Sequence, residues 1–184
     1  MQALGYPLAV LSGVLLALSF PRFGHPAVAW AALAPLLVAL MRPDGVRPRR
    51  AFGLGLVAGA VYFGGTLYWT PDVLRTFGGI SLPLAVAAGG LLVAYLALFP
   101  ALVAMVVARV CGVLGPAGVL VTPAVWVAAE MARRWILGGF PWVLLGSSQA
   151  GVTPIVQTAS LAGVYGLSAL VAFVSSAVAL AVAG

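Results

Sequence analysis

Long apolar runs without a charged side chain dominate this sequence, and they decide its solvent. One of them, Leu82 to Ala108, contains no acidic or basic residue. Runs of about 20 residues suit a helix crossing a hydrocarbon layer about 30 Å thick, whereas barrel strands alternate over about 10. Of the 184 residues, 64% are hydrophobic and 7% charged, against about 25% charged in a soluble domain. Nine basic and three acidic side chains are too few to cover a surface facing water. The chain therefore reads as an all-α integral membrane protein, a polytopic bundle of about six transmembrane helices.

These spans form one domain over residues 1–184. The expected spans run from Leu4 to Phe20, Ala27 to Met41, Ala51 to Trp69, Leu82 to Ala108, Ala117 to Leu137, and Leu161 to Ala183. The first lacks the basic n-region of a signal peptide and is read as retained. The tight turn Pro21 to Pro26 leads into the second span, where Pro35 predicts a kink. Two prolines in the charged loop Arg42 to Arg50 argue against helix there, and Thr70 to Ser81 reads as a loop. In the third span, Gly53, Gly55, Gly59, Gly64 and Gly65 suggest close helix packing. Gly89-Gly90 and Pro100 mark expected bends in the fourth, and Gly146 to Ser160 is a polar, amphipathic stretch before the sixth.

All nine basic residues are Arg, with no Lys and no Asn, which together with abundant Ala, Gly and Val suggests a GC-rich coding sequence. A net charge of +6 would raise nucleic acid as a partner in a soluble protein. Here the arginines instead mark loops on the untranslocated side, so no nucleic-acid partner is expected. With the N-terminus in the cytoplasm, that side holds Arg42, Arg47, Arg49, Arg50 and Arg109, and the outer side Arg22, Arg75, Arg133 and Arg134. The lone cysteine, Cys111, excludes an internal disulfide, and with the single His25 it leaves no conventional zinc cluster. No metal or cofactor is expected. Cys111 has no Lys or His beside it to favour a thiolate and reads as a packing residue, and His25 as a surface residue.

Phe20, Phe23, Trp30, Tyr68, Trp69, Trp135, Phe140 and Trp142 all fall near the expected outer interface. Two readings stand: an interfacial aromatic belt, or rings lining an entry for lipid chains. The segment Trp126 to Trp142 breaks the apolar background with Glu130, Arg133 and Arg134. An ionised carboxylate in hydrocarbon costs at least about 2.5 kcal/mol, so Glu130 needs a partner. Arg133 and Arg134 lie three and four residues on, where either can pair with it, and Trp126 shares the face. That face either neutralises itself, or holds a phospholipid headgroup or braces a domain above. Glu130 as a general acid or base is weaker, because no second titratable group stands near it. Gln149 and Gln157 read as amides that hydrogen-bond to a neighbouring helix.

An ordered series of motifs resembles the apolipoprotein N-acyltransferase family. It begins with Leu18-Ser19-Phe20-Pro21-Arg22-Phe23-Gly24 and Ala34-Pro35-Leu36-Leu37, and continues through Gly53, Phe63-Gly64 and Tyr68-Trp69. Trp126, Glu130, Arg133, Gly139-Phe140-Pro141-Trp142, Gly146, Ser148-Gln149, Gln157 and Gly163-Val164-Tyr165-Gly166-Leu167-Ser168 complete it. The resemblance implies a bacterial inner-membrane enzyme that moves an acyl chain from a phospholipid donor to the N-terminal cysteine amine of a diacylglyceryl lipoprotein. It implies an acyl-thioester intermediate made by a Glu-Lys-Cys triad in a periplasmic nitrilase-like domain. This sequence has no Lys, so that triad is not assembled from it, and the chain is expected to be inactive alone, with the missing domain as a partner in the same or another chain. Residues expected to contact substrate or brace that domain are Trp69, Trp126, Glu130, Arg133, Arg134, Phe140, Pro141, Trp142, Gln149, Gln157 and Tyr165. The alternatives are a non-catalytic membrane scaffold and a small permease, the latter disfavoured by the absence of a visible repeat.

Overall fold

Lipid offers no partner to backbone N–H and C=O groups, so a chain this apolar closes its own hydrogen bonds as helices. The computed structural model describes residues 4–20, 23–42 and 45–183. Among these every regular element is helical. The order is α1 (Gly5–Leu18), α2 (Ala29–Ala32), α3 (Ala34–Leu40), α4 (Pro48–Thr66), α5 (Thr70–Gly78), α6 (Leu82–Leu114), α7 (Thr122–Arg133), α8 (Thr153–Val156) and α9 (Ala159–Ala183), with short 3₁₀ turns between.

Small residues set the packing. Gly5 faces Arg50 and Leu54, Gly13 faces Ala58 and Val61, and Gly65 faces Ala17, so α1 and α4 lie side by side in the same direction. A Cβ on Gly55 would strike the backbone of Pro100 and Ala101, and one on Gly59 would press on Ala97. These contacts run α6 antiparallel to α4 at a distance only glycine allows. The starts of α1 and α4 thus share one end of the bundle with Arg42, Arg47, Arg49 and the end of α6. The opposite end gathers Phe20, Tyr68, Trp69 and the 133–149 segment.

The helical stretch Leu82–Arg133 is 52 residues long, yet it is a hairpin. Gly115, at φ +69, ends α6, and Gly118 then lies against the backbone of Val110 and Cys111. Farther up, Tyr95 Oη donates to the Ile136 carbonyl at 3.0 Å, which ties α6 to the chain just past α7. α9 closes the bundle, with Ser168 beside Gly146 and Ser175 beside Trp30.

The kink expected at Pro35 is a break: the helix interrupts at Leu33 and restarts with Pro35 in the first turn of α3. Neighbouring helices satisfy the carbonyls around the break. Ser12 Oγ of α1 donates to Ala32 at 2.5 Å and Ser175 Oγ of α9 to Trp30 at 2.9 Å, the device by which broken membrane helices regain their hydrogen bonds.

Several expected boundaries shift. Thr70 to Gly78 is helix rather than loop, started by Pro71 in its first turn and stopped by Gly79 at φ +63. Pro48, expected to exclude helix, occupies the first turn of α4, where its missing N–H costs nothing. The fifth span ends as α-helix at Arg133, and the residues expected to continue it form a 3₁₀ turn, Ile136–Gly138, in which Leu137 is left-handed at φ 51. α6 runs unbroken through Gly89-Gly90 and Pro100. Pro21, Arg22, Pro43 and Asp44 of the expected turn and charged loop lie outside the described residues.

By length and apolarity, Leu82–Arg133 and Ala159–Ala183 qualify to cross a membrane. A third qualifies if Pro48–Thr66 and Thr70–Gly78, bent by 51°, count together, while Gly5–Leu18 and Pro26–Leu40 are shorter apolar helices. The all-helical class stands, and length and apolarity alone establish two or three spans rather than six.

Candidate functional site

Past Arg133 the chain leaves the α-helix for an irregular path to Gln149, and its backbone groups need partners that no helix supplies. Two ionic side chains of α7 provide them. Glu130 is 4% exposed, and its Oε1 accepts from Leu145 N at 2.7 Å and from Trp126 Nε1 at 3.0 Å. Arg133 is 3% exposed, and its Nη2 donates to the carbonyls of Trp142 at 3.0 Å and Val143 at 3.1 Å. Its guanidinium also lies over the Phe63 ring, 5.2 Å from the centroid.

This corrects the expected pairing. Glu130 does not clasp Arg133 or Arg134; each buried ion takes backbone groups of opposite polarity from the segment that follows. Arg134 is exposed and lies over the Trp135 ring at 5.4 Å. Glu130 Oε2 and Arg133 Nε have no hydrogen-bond partner among the described residues. Both side chains border a void of about 10 Å³ walled by Phe63, Phe99, Pro100, Val103, Trp126 and Ala129.

Other partners complete the hold on the segment. Tyr62 Oη donates to the Val143 carbonyl at 3.1 Å, and Gly146 N donates to Ser168 Oγ at 2.8 Å. Gln149 is fully buried: Nε2 donates to the Pro26 carbonyl and to Ser148 Oγ, both at 2.9 Å, and Oε1 accepts from Trp30 Nε1 at 3.2 Å. The amide therefore joins the segment to α2, as expected of a buried glutamine in an apolar bundle. Gln157, expected to do likewise, is exposed, since the short α8 carries it to the surface.

Beside the clamped segment lies a groove of about 330 Å³ whose lining includes Phe20, Phe23, Thr66, Tyr68, Trp69 and Val143. The Trp69 indole donates to the Thr66 carbonyl at 3.1 Å, which turns the ring along the groove. Phe140 and Trp142 meet edge to face at 5.5 Å, with Trp142 60% exposed, and Pro141 between them is exposed too. Of the expected site residues, Trp126, Glu130 and Arg133 are brought together behind the segment, Phe140, Pro141 and Trp142 lie on it, and Gln149 anchors its far end to Trp30 and Pro26. Trp69 faces the groove, whereas Arg134, Gln157 and the half-buried Tyr165 stand apart. Cys111 is buried at the opposite end of the bundle. Sequence reasoning passed over Tyr62 and took Ser168 only as part of a motif; a hydroxyl inside an apolar helix was the available signal for both.

The site offers an aromatic, apolar groove beside two buried ions, Glu130 and Arg133, that hold the backbone of its wall. Among the described residues no three His, Cys, Asp or Glu side chains converge as metal ligands.

Comparison with known proteins places residues 12–177 in the family described as apolipoprotein N-acyltransferase N-terminal domain. The chain is 46% identical over 168 residues to the apolipoprotein N-acyltransferase of Geobacter metallireducens, covering 91% of this chain and 31% of that protein. It is 34% identical over 183 residues to the enzyme of that name from Shewanella oneidensis, covering 98% and 35%. With the Chromobacterium violaceum protein of the same name it shares 35% over 174 residues, covering 94% and 34%. The chain thus spans about a third of the length of these curated relatives.

Proposed function

Since the chain belongs to the apolipoprotein N-acyltransferase family, within its N-terminal domain, we propose that it forms the membrane-embedded portion of an enzyme acylating lipoproteins. In this reading an acyl chain passes from a phospholipid to the N-terminal cysteine amine of a diacylglyceryl lipoprotein. The supporting observation is the match over residues 12–177, which takes in both the groove and the clamped segment.

The proposed topology has six crossings of the bacterial inner membrane, with the N-terminus in the cytoplasm. Support comes from the packing, which sends α1 and α4 one way and α6 the other, and from the turn at Gly115, which folds α6 and α7 into a hairpin. The described arginines of one end, Arg42, Arg47, Arg49, Arg50 and Arg109, then face the cytoplasm, in keeping with the positive-inside rule. The groove lies at the outer end, where it receives an acyl chain of the phospholipid between Phe20, Phe23, Tyr68 and Trp69. Trp142, next to the groove-lining Val143, meets the headgroup or braces the nitrilase-like domain, as does the exposed Arg134 farther along the same end.

The transfer chemistry belongs to groups outside these residues. The sequence has no Lys, and its one cysteine is buried far from the groove, so no acyl-thioester forms on this chain alone. The test is Trp142→Ala in a full-length enzyme carrying this membrane portion. Lipoprotein acylation falls while membrane insertion persists; acylation at the unmodified rate refutes the reading.

A further inference from the structure

Val143 is a β-branched residue with φ 56, in a region such residues enter only when their surroundings compel it. Hydrogen bonds to Val143 and to the residues on both sides of it compel it. Its carbonyl takes two donors, Tyr62 Oη and Arg133 Nη2, each at 3.1 Å. On one side Arg133 also holds the Trp142 carbonyl at 3.0 Å; on the other Glu130 holds the Leu145 N–H at 2.7 Å. Tyr62 and Arg133 are buried at 1% and 3% exposure, so water does not compete for these bonds. Val143 is also part of the groove wall.

We propose that Tyr62 and Arg133 are positioning residues that hold Val143 in its left-handed conformation and thereby give the aromatic groove the shape that takes a lipid acyl chain. The proposal rests on the reading of the groove given above. It assigns the buried arginine a role that does not require touching substrate. Released from its two donors, Val143 returns to an ordinary backbone region, its carbonyl swings, and the groove wall moves.

The test uses the full 184-residue chain in phospholipid vesicles containing phosphatidylethanolamine with a diazirine on one acyl chain. Photolabelling is read by mass spectrometry at the Tyr68-Trp69 peptide. The unmodified chain labels there. Arg133→Gln lowers labelling about tenfold, as expected when a strained conformer loses its support, and Tyr62→Phe lowers it less. The decisive variant adds Val143→Gly to either change. Glycine holds a positive φ unaided, so labelling recovers, which no merely structural role for Arg133 would produce.

Singles that label like the unmodified chain, or doubles that stay as low as the singles, overturn the proposal. Should the unmodified chain not label, the groove reading fails, and the clamp is judged on melting temperature. Arg133→Gln and Tyr62→Phe then lower it more with Val143 than with glycine at that position; equal shifts in both backgrounds overturn the clamp. If Arg133→Gln does not fold, the Tyr62→Phe pair carries the same comparison.

Discussion

Replacing Glu130 with alanine removes two acceptor contacts at once, the Leu145 N–H at 2.7 Å and the Trp126 indole at 3.0 Å. Both donors are then left buried and unpaired, and the Arg133 guanidinium loses the carboxylate nearest to it. Hydrogen bonds to charged groups contribute about 1.5–3 kcal/mol each in soluble proteins, and breaking a buried ionic arrangement costs about 3–5 kcal/mol. Measured side-chain bonds in membranes are weaker, averaging about 0.6 kcal/mol, because the unfolded state within lipid also finds partners. The Leu145 bond escapes most of that discount, since it serves an irregular segment with no helical alternative. Alanine is therefore expected to cost about 3 kcal/mol, and glutamine, which keeps an acceptor oxygen, about 1 kcal/mol. Reversible unfolding in mixed dodecylmaltoside and dodecyl sulfate micelles, followed by far-ultraviolet circular dichroism, measures both. Equal losses for the two variants, or a loss for alanine below about 0.6 kcal/mol, would refute the claim that Glu130 acts as an acceptor for backbone.

Three other outcomes follow from the packing. Gly55→Val, whose side chain would strike Pro100 and Ala101, should destabilise the chain by about 1–3 kcal/mol, while Gly64→Ala, with open space at its Cβ, should be neutral or stabilising in the same unfolding assay. Ser175→Ala removes the donor to the Trp30 carbonyl beside the helix break and should cost about 0.6 kcal/mol, read against Ser160→Ala, whose hydroxyl serves only a local carbonyl at an exposed site. In a Cys111→Ala background, a cysteine at Arg47 should react with a membrane-impermeant maleimide only from the cytoplasmic face, and one at Trp135 only from the outer face; both residues are exposed and lie at opposite ends of the bundle.

What the sequence made legible follows the reach of its signals. α6 and α9 announce themselves by uninterrupted apolar length, and the break at Leu33 by Pro35, because both signals are local. α5 was hidden because Pro71, Asp72 and Arg75 look like loop composition; the helix start at Thr70-Pro71 and stop at Gly78-Gly79 were there to be read. The polar face of α7 was visible as Trp126, Glu130 and Arg133, but its partners were not. Helical spacing pairs side chains three and four residues apart, whereas Glu130 bonds to Leu145 and Arg133 to Trp142 and Val143. A carboxylate seeking a backbone N–H leaves no sequence pattern. Gln149 was readable as a buried amide because an apolar bundle rarely buries one without a partner, and Gln157 was misread because nothing local told that α8 is short.

Why an apolar bundle keeps two buried ions becomes a question of comparative cost. On the proposed membrane reading, each ion costs at least about 2.5–3.5 kcal/mol to hold at depth. Between them they satisfy three backbone groups, the carbonyls of Trp142 and Val143 and the N–H of Leu145, each of which would cost about 1–3 kcal/mol if left unpaired. The two sums are comparable, so the ions do not stabilise the fold beyond what a plain helical continuation of α7 would achieve at no ionic cost. Irregular backbone inside a membrane bundle survives where it is buried in protein or lines a cavity, and here it lines one. Glu130 and Arg133 are thus best understood as the condition for having a non-helical wall beside the groove. Either residue changed alone should then harm the fold more than both changed together with the segment rebuilt as helix, and only the rebuilt chain should lose the groove while keeping its stability.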